Sequence, residues 1–404
     1  MDLKSGYPFW AVKNGLMHSF PPLQHDVRCD VAVLGGGITG ALITDELVRH
    51  GFDVAVIDER DVGWGSTAAS TALLQYEIDE HMVDLMKKYG EADAVLVYQA
   101  CAAAIPMLRK LAAKVRNVDF GPMDSLYYAS KRGHASALRD EFALRTRHGF
   151  DVELLEQAEL QQRFGIDAPV AILSHQAASV DPYRMAYRLL MRAQKAGAGV
   201  YDQTAVERIE TTERGVTLRT PEGHRVRADY LVLAAGYANQ NWLKQRVARN
   251  SSSYAFITDP IDDAQLGALK TTMIWESTRP YLYMRTTGDG RLMVGGEDDA
   301  IDIPAKRDAR VDTKAETLCK RVKALLPRLP LKPVFAWAGT FAETEDGLPF
   351  FGPHEQTGPR VHFAMAYGGN GITYSMLGAG LLRALIERRG HPLAQLFSFK
   401  RLER

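Results

Sequence analysis

DVAVLGGGITGALITDELVRHGFDVAVID, residues Asp30–Asp58, decides how the rest of the chain is read. Val31-Ala32-Val33-Leu34 is an apolar run too short for a helix and closed by glycine, so it predicts a buried strand. Gly35-Gly36-Gly37-Ile38-Thr39-Gly40 follows at once, a G-x-G-x-x-G. Gly40, Ile43, Thr44, Leu47 and Val48 then share one helical face, and Gly51 ends the helix. A second apolar strand, Val54-Ala55-Val56-Ile57, runs into Asp58. Each part suits a dinucleotide. Gly35 allows a tight turn, Gly37 lets backbone approach a pyrophosphate, and Gly40 lets helix pack on strand. Asp58, 18 residues beyond Gly40, suits the hydroxyls of an adenosine ribose. Glycine-rich turns are common, so the alternative is an α/β turn that binds nothing; the order of strand, helix, strand and acid favours a nucleotide.

Outward from this stretch, 404 residues suffice for two domains, and 46% apolar with 24% charged residues is a globular balance. Lys+Arg and Asp+Glu both number 49, and no basic run would track a nucleic acid. Residues 1–20 do not read as a secretory signal, and no segment is expected to approach a membrane span. Three scattered cysteines and eleven histidines without ligand spacing predict no disulfide frame and no metal, and a cytoplasmic protein is expected.

Residues 1–26 predict an extended arm anchored by Phe9 and Trp10. The small, hydroxylated run Gly65-Ser66-Thr67-Ala68-Ala69-Ser70-Thr71 follows the ribose acid and suits a backbone lying flat against a cofactor, or else a surface loop. Helical patterns cover 81–116, with a break at Tyr89-Gly90, then 131–148, 156–164, 182–195 and 315–326. Strands are expected at 125–130, 170–175, 205–210, 216–220, 225–228, 230–236, 253–258, 281–285, 292–296 and 362–366. A last helix starts after Gly368-Gly369-Asn370-Gly371-Ile372-Thr373.

Four stretches in this order resemble the D-amino-acid oxidase superfamily of FAD-dependent amine oxidoreductases. They are Gly35–Asp58, Gly65–Ser70, Leu231–Gly236, and the pair Asp346-Gly347-Leu348-Pro349 with Gly369-Asn370-Gly371-Ile372. The arm and Trp337-Ala338-Gly339 look most similar to the γ-glutamylputrescine oxidase branch. The resemblance implies an α/β fold: a Rossmann-type FAD-binding domain, discontinuous in sequence (1–85, 165–245, 335–404), and an α+β substrate domain with a mixed sheet (86–164, 246–334). FAD would rest on Gly35, Gly37, Ile38, Thr39 and Gly40, with Asp58, Glu59 and Arg60 at the adenosine. Gly65, Ser66, Thr67, Ser70 and Thr71 would line its phosphates and flavin, Val206 its adenine, and Ala235, Gly236 and Gly339 would pass close by. Gly369, Asn370, Gly371, Ile372 and Thr373 would bring a helix N-terminus to the pyrimidine, where reduced flavin gathers negative charge.

The implied reaction oxidises the C–N bond of a small amine or amino acid by hydride transfer to flavin N5, and the imine hydrolyses. Oxygen or another acceptor would take the electrons. Alternatives are a dehydrogenase subunit passing electrons to a partner or quinone, and a flavin-binding protein without turnover. A nicotinamide dehydrogenase shares the first fingerprint, but the Gly369–Thr373 block argues against it. Gly339-Thr340-Phe341 offers no cysteine or histidine, so FAD is expected to be non-covalent. Phe341 stands where glycine oxidases carry a carboxylate-binding arginine, and Thr373 and Met293 stand where sarcosine oxidase-like members carry lysines. For catalysis and substrate binding, Tyr283, Arg285 and Tyr254 are the candidates, with Tyr76 and Glu77 behind them; Tyr283 and Arg285 share one strand face. Glu77 and Asp79 could attract a cationic amine, but solvated loop acids are the expectation.

Overall fold

The computed structural model describes residues 2–301, 303–365 and 368–403. Ala366, the expected end of the last strand, and Tyr367 lie outside the described residues. Two sheets form the scaffold. The first has parallel strands in the order β17 (Val361–Met365), β10 (Arg225–Leu233), β1 (Val27–Leu34), β2 (Val54–Ile57) and β7 (Gly199–Tyr201). Antiparallel β16 (Phe350–Pro353) joins at β17, and β8 (Arg208–Thr212) with β9 (Gly215–Arg219) extends β10. Val31 lies opposite both Val54 and Tyr230, and Val31, Ala32 and Val33 are fully buried, which explains their unbroken apolar run.

The helix Ile38–Arg49 connects β1 to β2 and packs on the last α-helix (Gly371–Ile386) and on Pro182–Lys195. Its seat is close. A Cβ on Gly40 would stand 1.9 Å from the Gly35 carbonyl oxygen, so no other residue fits. Asp181 caps Pro182–Lys195 by accepting from Arg184 N at 2.9 Å, with Pro182 at the first helical position.

The second sheet runs β15 (Pro333–Glu343), β11 (Arg249–Pro260), β14 (Arg291–Asp299), β13 (Leu282–Thr286), β12 (Thr272–Glu276), β4 (Gly121–Tyr128), β6 (Val170–Ser179) and β3 (Leu73–Gln75), with β5 (Val152–Glu156) also on β6. All its pairs are antiparallel except β12 with β4. Helix Val311–Leu325 covers one face through Leu318 and Val322.

Three expectations are corrected. The arm is not wholly extended: Phe9–Asn14 is a helix, pinned by Trp10 Nε1 donating to Ser70 O at 2.7 Å and by Phe9 stacked on Trp337. Strands β3, β5, β7 and β12 fall in stretches where no strand is expected from the sequence. Helix Glu91–Val115 has the length and mean hydropathy of a membrane span. Its residues Val97, Tyr98, Cys101, Leu108 and others nevertheless form one stripe buried in the core.

Gly40→Ala tests the close helix seat. The added methyl meets backbone, which cannot rotate away, so we expect a loss of about 2 kcal/mol or more, read as a lowered denaturation midpoint.

Candidate active site

Because β1, β2, β10 and β17 are parallel, their carboxyl ends share one edge, where open α/β sheets present ligand sites. The residues just beyond those ends, Gly35, Asp58, Ala234–Tyr237 and Gly368–Thr373, line one cavity of about 430 Å³. The backbone there is bare. Gly35 sits at φ +113°, and a Cβ on it would strike the Ala234 carbonyl oxygen at 2.5 Å; one on Gly37 would meet Thr67 Oγ1 at 3.0 Å. Neither helix that opens onto the cavity has a side-chain cap of its own. Thr67 Oγ1 takes the Ile38 N–H at 2.9 Å. The Asn370 amide donates instead to the carbonyls of Gln75 (3.1 Å) and Glu77 (2.8 Å). First-turn N–H groups of the last α-helix therefore remain for an electron-rich ligand.

Every expected cofactor contact lines this cavity except Gly40, which serves the helix seat. Val206 lines it from an extended segment ahead of β8, not from within a strand. The Gly65–Thr71 run folds back as the short helix Ser66–Ala69, and the arm's Leu3 also reaches the wall. Asp58 accepts from Gly36 N (2.7 Å) and Arg60 N (3.0 Å). Burial nevertheless pushes its carboxyl up to about 6, against those two hydrogen bonds.

The second sheet supplies the remaining wall: Ser253, Trp275, Tyr281, Tyr283 and Asp298, with Phe341 and Glu343 from β15. Its shape comes from one irregularity. Ser252 pairs with Asp299 and Tyr254 with Gly296, so Glu297 and Asp298 together face Ser253 in a β-bulge. Glu297, at φ +55°, turns to Arg321 (2.6 Å) and Lys314, while Asp298 reaches the cavity. Burial lifts the Asp298 carboxyl to about 7; the Ser253 hydroxyl opposes this, and the neighbouring Glu343 and Asp79 charges add to it. Tyr283 OH lies 3.1 Å from Ser253 Oγ, and its ring covers Gly295, where a Cβ would fall 2.3 Å from it. Trp275 stacks on Tyr127 at 3.8 Å and meets Tyr281 edge-on.

Of the substrate candidates, only Tyr283 turns its side chain to this space. Arg285 shares its face but lies further along the strand. Its guanidinium is fully buried, donating to the carbonyls of Thr71 (2.6 Å) and Val180 (3.1 Å), and is unavailable to an anion. Tyr254 reaches the wall, yet its ring belongs to the core under the opposite face and its hydroxyl donates to Asp299 at 3.1 Å. Tyr76 and Glu77 lie in the core, bonded to Ser174 beside Arg145. Asp79 is no free loop acid either: it accepts from Gly369 N at 2.8 Å and lines the cavity. Trp275, Tyr281, Tyr237 and Asp298 were missed. For Asp298 the only sequence signal is the acidic run after Gly295-Gly296, which reads as a strand end.

A sequence profile of the FAD dependent oxidoreductase family matches residues 30–385, and the chain belongs to that family. It is 27% identical to glycine oxidase of Geobacillus kaustophilus (strain HTA426) over 376 residues, 90% of this chain and 94% of the relative. Against gamma-glutamylputrescine oxidoreductase of Escherichia coli (strain K12) the identity is 24% over 386 residues, 94% and 88% of the two chains. The crystal structure of glycine oxidase from Geobacillus kaustophilus superposes with a TM-score of 0.76 at 23% identity, covering 93% of this chain and 99% of that one. The fold is thus that of the glycine oxidases, and FAD is the cofactor of the family.

The Asp58 shift sets a pH dependence. If Asp58 holds the ribose hydroxyls as the sequence leads us to expect, it must accept from them as a carboxylate, and FAD affinity should hold at pH 8 and fall as pH drops through about 6. In the FAD-free protein the sign reverses: the folded state keeps a proton that the unfolded chain releases near 3.8, so this group's contribution to stability is lost as pH rises from 3.8 to about 6. Asp58→Asn should weaken FAD at pH 8 by roughly 10-fold or more and flatten the profile, as read by flavin fluorescence titration.

Proposed function

We propose that this FAD-dependent oxidoreductase oxidises the C–N bond of a small amine or amino acid, and that the imine product hydrolyses to a carbonyl compound. The observation that carries the reading is one cavity shared by a bare-backbone nucleotide cradle and a wall of Tyr283, Trp275, Tyr281 and Asp298. Gly35, Gly37, Asp58 and the Gly369–Thr373 turn would hold the FAD. When bound it supplies a hydride acceptor at N5. We take it to be non-covalent, since no cysteine or histidine lines the cavity among the described residues. The segments 1–85, 165–245 and 335–404 would form the FAD domain, and 86–164 with 246–334 the substrate domain.

The chain's own groups have clear parts to play. First-turn N–H groups of Gly371–Ile386 would favour negative charge on a bound flavin. Tyr283, whose phenol is pushed well up by burial, remains a neutral hydrogen-bond partner for substrate. The aromatic wall keeps water from the reacting carbon. Asp298 can take the proton an ammonium must lose before its carbon gives up hydride, because burial brings its carboxyl near neutrality.

A second reading, in which electrons leave to a partner protein or quinone, draws on Met293. The position resembling an oxygen-activating lysine is a fully buried apolar side chain in the core.

Anaerobic addition of amines and amino acids to the yellow holoprotein should bleach its visible absorption with at least one compound. Bleaching by none would sink the reaction. Recolouring in air would support oxygen as acceptor; recolouring only with an artificial acceptor would support the second reading. Tyr283→Phe should slow bleaching by about 10-fold while FAD content is retained.

A further inference from the structure

We propose that the second-sheet side of the cavity selects a cationic amine carrying no carboxylate beside the reacting C–N bond, with Asp298 binding its ammonium group. The inference rests on the amine-oxidising reading and adds the substrate class. It starts from the β-bulge. A regular ladder opposite Ser253 would not bring two successive acids to one position; the bulge sends Glu297 outward to Arg321 and Lys314 and leaves Asp298 facing inward.

Asp298 is half-buried against that space: its Oδ1 is shielded and without a hydrogen-bond partner, the Ser253 hydroxyl lies against the same carboxyl, and an ammonium arriving from the cavity would add the donor this carboxyl lacks. Its surroundings suit a cation. Asp79 and Glu343 line the same space, and Trp275, Tyr281 and Tyr283 offer aromatic rings.

The basic groups that might instead receive a carboxylate are occupied. Arg279 Nη1 donates to Glu343 Oε1 at 2.5 Å, its Nη2 to the Asp79 carbonyl, and its guanidinium lies over the Tyr281 ring. Arg285 is spent on backbone carbonyls. Among the described lining residues the sole basic one is Arg60, beside Asp58 in the nucleotide cradle. A substrate carboxylate near Asp298 would meet the like charges of Asp79 and Glu343, with the nearby Arg279 already paired to Glu343, whereas an ammonium gains both an acceptor and a ring face.

The test is equilibrium binding to the FAD-loaded protein, by calorimetry, of n-butylammonium and of butyrate, two probes of equal length and opposite charge. We expect n-butylammonium to bind at least 10-fold tighter than butyrate, and Asp298→Asn to weaken it by at least 10-fold. Butyrate binding as well as n-butylammonium, or an affinity unmoved in the variant, overturns the proposal. Should Asp298→Asn not fold, Asp298→Ser gives the same reading, and the wild-type comparison of the two probes stands alone. The binding needs no turnover, which separates the two failures. Flavin bleaching by an amino acid with butyrate preferred would overturn the substrate class and keep the oxidation. Ammonium binding with no bleaching by any amine would do the reverse.

Discussion

The contact between Gly40 and the Gly35 carbonyl is the constraint on which the nucleotide side depends. Only a residue without a Cβ lets the helix Ile38–Arg49 sit this close to the end of β1. The seat fixes where the helix N-terminus points and how Gly35–Gly37 turn, and it aligns β1 with β2 so that Asp58 emerges at the same edge. The last α-helix packs on this one and brings Gly369–Thr373 to the same opening, helped by Thr39 Oγ1 at 2.8 Å from Ser375 Oγ.

The two walls of the cavity use opposite electrostatics. On the parallel-sheet side, backbone N–H groups and two helix N-termini await negative charge, and side chains contribute little beyond Asp58. On the antiparallel side, Asp79, Asp298 and Glu343 face inward among aromatic rings. Polar backbone suits a phosphate ligand because it donates without carrying charge. Carboxylates beside aromatic faces suit a cation. The arm joins the walls: Leu3 O accepts from Thr340 N at 2.8 Å, Ser5 N donates to Ala338 O at 3.0 Å, and Trp10 reaches Ser70. Arg307, fully buried, holds the arm through the carbonyls of Asp2 and Lys4.

Placement within the second sheet separates side chains that look alike in sequence. Tyr283 and Tyr254 are both tyrosines on hydrophobic strands, β13 and β11, that flank β14, yet one faces the cavity and the other the helix-covered core. Arg285 and Tyr283 share a face, but two residues along a strand carry Arg285 past the cavity to Trp10 and Val180. Distance along the strand mattered as much as the face.

By itself the sequence determined the β–α–β unit, the acid Asp58 at its end and the glycine- and hydroxyl-rich loops that line the cavity. Those rest on local rules: apolar period, the steric freedom of glycine, and an acid at a fixed distance down the same chain. It also determined helix Pro182–Lys195, because Asp181 and Pro182 act on residues three or four positions away. Only the tertiary structure decided the second-sheet wall of the cavity. The bulge that turns Asp298 inward is a register shift between strands some forty residues apart. Arg285 is withdrawn by carbonyls 214 and 105 residues distant. Asp79 is held by Gly369, and Glu77 is drawn into the core by Ser174 and Arg145. No local pattern encodes such pairings, since each forms only once the two sheets have closed on one another.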